Sequence, residues 1–304
     1  MIIRNKNNIF YLLFAWKGTI LPTILPSLLM VMIMSGIIAF LSEHHFFSAI
    51  PKVPAIGFTI FGVILSIFIG FRNNACYDRW WEGRKLWGSL IANIRHMDRE
   101  TLVLADTRRE RILHKTIIFT NLLRDRLRYQ TAHPTQFLEF GRMNEHSVNK
   151  LNHLINAPQY MLNMIQKELV HALEAKEITD ILYRQIVSHV VELGNVQAGC
   201  DRIASTPLPF AYSVLLNRAI YVFCFILPFS LGDILGLWTP ILVGVIAYMF
   251  LGLDALSAQL EEPFGTQEND LPLDSIVRLV ERELLTAIGK TPPPPMKPDQ
   301  HNLL

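Results

Sequence analysis

The side chains able to do chemistry are scattered along this chain rather than gathered. Ten histidines are spread over 304 residues, and none forms an HExxH pair. His44 and His45 are adjacent, which is not the spacing of two ligands on one helix face. There is no Walker A loop, no GxGxxG and no GxSxG. Cys76, Cys200 and Cys224 are not paired at close spacing, so neither a zinc motif nor a disulfide framework is indicated, and a reducing compartment suits them. One acidic stretch, LEEPFGTQENDLPLD at 260–274, could offer calcium its oxygens, but its spacing is not that of an EF-hand. A solvated acidic loop after a helix end is the plainer reading. No catalytic residue, metal site or cofactor is expected.

Apolar residues at helical spacing carry more information. In ILSIFIGFRNNACYDRWWEGRKLW (64–87) an apolar run gives way at Arg72 to charged and aromatic residues, with no proline at the change. Just before it, Gly62, Ser66 and Gly70 repeat every four residues. That ridge of small side chains would let a second helix approach closely in lipid. Beside it runs the stripe Val63, Ile67 and Phe71. Periodicity leaves two roles open for the stripe. It either faces lipid or packed core, or forms an apolar constriction that gates a water-filled path by dewetting. One stripe becomes a ring only when copies surround an axis, and closed cyclic symmetry is the usual way to do that.

These residues need elements to position them. The chain is 51% hydrophobic and 18% charged, too little charge to cover a soluble protein of this length, and its apolar residues are clustered. A spanning helix takes about 20 mostly apolar residues. We expect a cytosolic N-terminal segment over 1–18, then spans at 19–42, 56–72, 209–232 and 234–256. The second run is short for a span and is better read as the membrane half of a helix that continues into the cytosol, with Arg72 marking the cytosolic surface on its outer face. Residues 73–206 read as a cytosolic helical domain without strands. Apolar residues recur there at helical spacing: Trp80, Trp87, Ile91 and Ile94; Leu151, Leu154 and Ile155; Leu182 and Ile186. A loop is expected around Pro134, a cytosolic C-terminal segment over 257–289, and a proline-rich disordered tail over 290–304. Lysine and arginine cluster at the N-terminal flank (Arg4, Lys6, Lys17) and after the second span (Arg72, Arg79, Arg84, Lys85). This bias puts both termini in the cytoplasm. A net charge of +2 implies no nucleic-acid partner.

Four segments in register then resemble the bestrophins: AWKGTI at 15–20, DRWWEGR at 78–84 after a Ser-xxx-Gly apolar helix, TPLPFAY at 206–212, and EEPFG followed by NDLPLD. Their order covers nearly the whole chain, and the short length and NDLPLD ending look like the bacterial branch. The resemblance implies an all-α homopentamer in the bacterial inner membrane, with four transmembrane helices per subunit, a large cytosolic helical layer and a central pore passing ions. In the family the second span lines the neck, with three apolar positions one turn apart. Counted back from Arg79-Trp80-Trp81 these fall on Val63, Ile67 and Phe71. A second constriction, one aliphatic residue per subunit at the cytosolic exit, is matched by Ile181 in EITDILYRQ, where helix packing accounts for the residue equally well.

Two departures bear on function. Vertebrate members hold calcium with an acidic run after the Pro-Phe-Gly turn. Here the run is Thr266, Gln267, Glu268, Asn269 and Asp270, so calcium independence is expected. Vertebrate chloride channels of the family place phenylalanine at two neck positions, whereas this chain has Phe71 alone. Ring edges are partially positive and favour anions; aliphatic Val63 and Ile67 supply none of that. Bacterial members are linked to monovalent cation conduction, so sodium is the expected ion. The alternatives are an anion channel of the same architecture, or a membrane-tethered scaffold for a cytosolic partner.

Overall fold

The computed structural model describes residues 16, 18–44, 55–131, 151 and 153–298, with the side chains of Ala55 and Asp233 excepted. The charges at Arg4, Lys6 and Lys17, His45, the Pro134 loop and the last residues of the tail lie outside them. The described residues contain helices and no strand. In chain order these are α1 (Leu21–Glu43), α2 (Ala55–Glu100), a 3-10 turn (Thr101–Val103), α3 (Asp106–Leu127), α4 (Ala157–Glu174), α5 (Asp180–Ser205), α6 (Phe210–Leu235), a second 3-10 turn (Gly236–Trp238), α7 (Thr239–Glu261) and α8 (Leu273–Ala287). α1, α2, α6 and α7 are long and apolar enough to cross a membrane. The expected boundary between the third and fourth spans, at residue 233, falls inside α6. The chain turns later, at Gly236, whose φ of 51° suits a residue without Cβ.

Two compact units share α2. One comprises the described residues to Trp80 together with Pro207–Glu262; the other comprises Trp81–Thr206 and the residues from Pro263 onward. In the first unit the core joins Ile24, Leu28 and Val31 of α1, Leu65 and Ile69 of α2, Ile220 and Phe223 of α6, and Val243, Ala247 and Leu251 of α7. Pro22 opens α1 where no backbone donor is needed, and Pro26 sits within it. Gly244 of α7 meets the Met32 side chain, where a Cβ would come within 3.0 Å. A small residue there lets α1 and α7 pack closely, as helices in lipid require.

The second unit is built from amphipathic helices. Trp87, Leu90, Ile94 and Met97 recur every three or four residues on α2 and are fully buried, as are Ile112, Leu113 and Ile117 of α3, Ile165 of α4 and Ile186 of α5. Caps set the helix starts. Asn156 accepts a hydrogen bond from Gln159 N at 3.1 Å before α4, and Thr179 accepts one from Leu182 N before α5. One apolar repeat read from the sequence fails. Leu151 is buried, but Ile155 is almost wholly exposed in the turn before α4, with its carbonyl accepting from Arg126 at 2.9 Å. Asn156 starts the helix only after Ile155, so the helical spacing of 151, 154 and 155 belongs to no single helix.

Candidate functional site

The stripe Val63, Ile67 and Phe71 lies on α2, where Leu65, Ile69 and Arg72 take the buried face of the helix. Spacings of four and three residues keep that face inward and turn the stripe away from it. Val63 is 54% exposed, Ile67 51% and Phe71 62%. Ile60, Ile64 and Phe68 are exposed beside them, so the apolar face is wider than one stripe. An apolar surface of this breadth calls for lipid or a second protein surface over part of it. Of the small-residue ridge, Gly62 lies under the Phe223 ring of α6, where a Cβ would come within 3.3 Å. Ser66 is exposed and bonds the Gly62 carbonyl of its own helix, and a Cβ at Gly70 would meet nothing within 4 Å. Gly62 thus packs within the chain, whereas Ser66 and Gly70 share the open face of the stripe.

Arg72 does not mark an outer face. Its side chain is 7% exposed and meets two carboxylates of α7, Asp254 and, at 3.7 Å, Glu261. These carboxylates are seven residues apart, two helical turns, so both fall on one face of α7. Each has a further donor. Asn217 of α6 reaches Asp254 at 3.0 Å, and the Leu208 amide, just before α6, reaches Glu261 at 3.0 Å. Ser257 donates to Asn73 at 2.6 Å, and the Tyr212 hydroxyl donates to the Phe68 carbonyl at 3.1 Å. No sequence motif singles out Asp254, Asn217, Ser257 or Asn73. The available signal was Asp254 and Glu261 at a two-turn spacing, once α7 is known to run through both.

Ile181 is the second residue of α5 and is 79% exposed, so packing within its own chain does not account for it. All three cysteines are buried free thiols. Burial, with the charges of Asp201 and Glu82 beside it, pushes the Cys200 thiol up to about 12, which leaves no thiolate nucleophile there. Among the described residues no group of three His, Cys, Asp or Glu side chains could hold a metal ion.

The model of the family described as Bacterial/Fungal Bestrophin protein matches residues 1–286. The chain belongs to the bestrophin family. Bestrophin relatives align end to end. A Mesorhizobium japonicum protein named voltage-dependent anion channel-forming protein mll4386 is 36% identical over 296 residues, 96% of this chain and 94% of its own. The Escherichia coli K12 protein YneE, given the same functional name, is 36% identical over 305 residues and 99% of each chain. The crystal structure of a bacterial bestrophin homologue from Klebsiella pneumoniae superposes with a TM-score of 0.83 at 33% identity, covering 88% of this chain and all of that one. The four long apolar helices are therefore those of a bestrophin-family membrane protein.

The bestrophin motifs have local physical reasons. In DRWWEGR, Gly83 lies against Phe264 and Leu271; a Cβ would come within 3.1 Å of the Phe264 ring. That fixes the Pro-Phe-Gly turn to the second half of α2. The turn is closed by Leu271 N bonding the Pro263 carbonyl at 2.8 Å. The buried Asp270 carboxylate accepts from Gln267 N at 2.6 Å. Arg128, just past the end of α3, donates to the Phe264 carbonyl at 3.3 Å and to Asp274 at 2.7 Å, and Arg124 of α3 lies 3.2 Å from Asp274. Two acidic residues of NDLPLD are thus already engaged by the chain's own amide and guanidinium groups.

Proposed function

We propose that this bestrophin is a homopentameric channel that passes monovalent ions passively through a neck formed by Val63, Ile67 and Phe71 of each subunit. The observation that carries this reading is the outward exposure of all three on one face of α2. Five copies around an axis would turn that face into three stacked apolar rings, with Ser66 and Gly70 beside them for close approach of the neighbouring subunit. Such a neck has no ionisable side chain. It discriminates by size, hydration and weak ring polarity, and it closes by dewetting. Ile181 would supply a second, single-residue constriction. The lysine and arginine bias supports an inner-membrane orientation with both termini cytoplasmic.

Two aliphatic rings and one aromatic ring favour cations, sodium among them, since aromatic edges that attract anions occur only at Phe71. The relatives' names favour the other reading, an anion channel of the same architecture. Bi-ionic reversal potentials in a planar bilayer decide between them. A reversal near the sodium equilibrium supports the cation reading, and one near the chloride equilibrium overturns it. Calcium independence is supported by the engagement of Asp270 and Asp274 within the chain.

A further inference from the structure

We propose that Asp254 and Glu261 hold Arg72 as a positioning clasp that sets the rotation of α2, and hence the direction in which Phe71, Ile67 and Val63 face. This rests on the channel reading above. Arg72 follows Phe71 directly, so about 100° of helix rotation separates the last neck ring from the clasp. Any turn of α2 that moves one moves the other.

The geometry is that of a fixed bearing. The guanidinium is buried and faces two carboxylates from one face of α7. Both carboxylates are steadied by second donors, Asn217 from α6 and the amide of Leu208. A buried ion pair is a poor source of stability compared with apolar side chains of the same volume; its best-attested use is to fix register. Fixing is needed here. Between helices in lipid no hydrophobic force selects one rotation, and Leu65 and Ile69 could repack after a small turn. A planar guanidinium held by two oriented carboxylates cannot follow such a turn without losing a partner.

The test is single-channel recording of the full-length protein in planar bilayers, with assembly checked by size-exclusion chromatography. Arg72→Gln and Asp254→Asn are each expected to change single-channel conductance or open probability several-fold while the oligomer persists. The double variant should change it no more than the larger single one, because both disable the same contact. Arg72→Lys keeps the charge but meets the two carboxylates as a point charge, and should fall between wild type and Arg72→Gln. Unchanged currents in Arg72→Gln, or single effects that add in the double variant, overturn the clasp. If Asp254→Asn fails to assemble, Arg72→Lys against Arg72→Gln decides the matter: equal currents in both overturn it. Ile67→Ala is recorded alongside. Altered current in Ile67→Ala with wild-type current in every clasp variant overturns the clasp and leaves the channel reading standing. No current in wild type and Ile67→Ala overturns both.

Discussion

The unit that holds α1, α6 and α7 and the unit that holds α3, α4, α5 and α8 bury similar side chains but present different surfaces. In the first, large apolar residues such as Ile37, Phe40, Val245 and Met249 are exposed on the helices. Its ionic contacts gather around Arg72, Asp254 and Glu261. In the second, most large apolar side chains are turned inward, and charge pairs link the helices to one another and to the turn before α5. Arg108 bonds Glu177 at 2.9 Å, Lys115 bonds Glu168 at 2.6 Å, and Arg109 bonds Asp98 at 2.6 Å. The difference reflects solvent. In water the hydrophobic effect sorts helix faces and outer ion pairs add little. In lipid the outer face costs nothing when apolar, and orientation falls to close packing and the few polar contacts available.

This contrast can be broken at several points. The largest expected effect is on the stability of the water-facing unit. Asp274→Ala removes the carboxylate that the buried Arg128 needs and should cost about 3–5 kcal/mol, read as a fall in the unfolding temperature of the purified protein. A near-wild-type transition would mean the turn is held by the Phe264 and Leu271 contacts alone. Next comes Ile67→Ala, which should raise single-channel conductance several-fold or abolish gating without lowering stability much. An unchanged current counts against a neck role. Ile181→Ala should act in the same direction but less, because it removes one isolated residue rather than the middle of three stacked rings. An effect larger than that of Ile67→Ala would reverse the order of the two constrictions.

Acid should act on the water-facing unit through Glu168. Burial raises its carboxyl pKa, but the hydrogen bond from Lys115 and the charges of Lys115 and Arg111 outweigh this and hold it below the ordinary 4.5. Its contribution is therefore complete above pH 4.5 and is lost as pH falls through the lowered folded value. Arg108 likewise lowers Glu177, which adds to the same window. Glu168→Gln should flatten the loss of stability below pH 4.5; identical acid-unfolding curves would remove Glu168 from the account. The smallest expected effect is that of calcium. Open probability should be equal in chelator and in calcium buffer, and a steep dependence would show that Asp270 and Asp274 can be released to an ion.

Much of the membrane-facing half was legible before the fold was known. Four apolar runs, the continuity of α2 past Arg72 and the stripe Val63–Ile67–Phe71 all follow from local composition and a 3.6-residue period. The failures came where partners are distant or a helix starts late. Ile155 carried the right spacing but lay ahead of the Asn156 cap. Arg72 looked like a charge at an outer surface.

The sequence by itself determined which segments are helical, which of them can lie in lipid, and which residues share a face, because each of these depends on neighbours within a few turns. Only the tertiary structure decided which face of α2 is buried and that Arg72 is taken by Asp254, 182 residues away. No local period records a pairing across that distance, and a buried charge finds its partner only when separate helices are brought together.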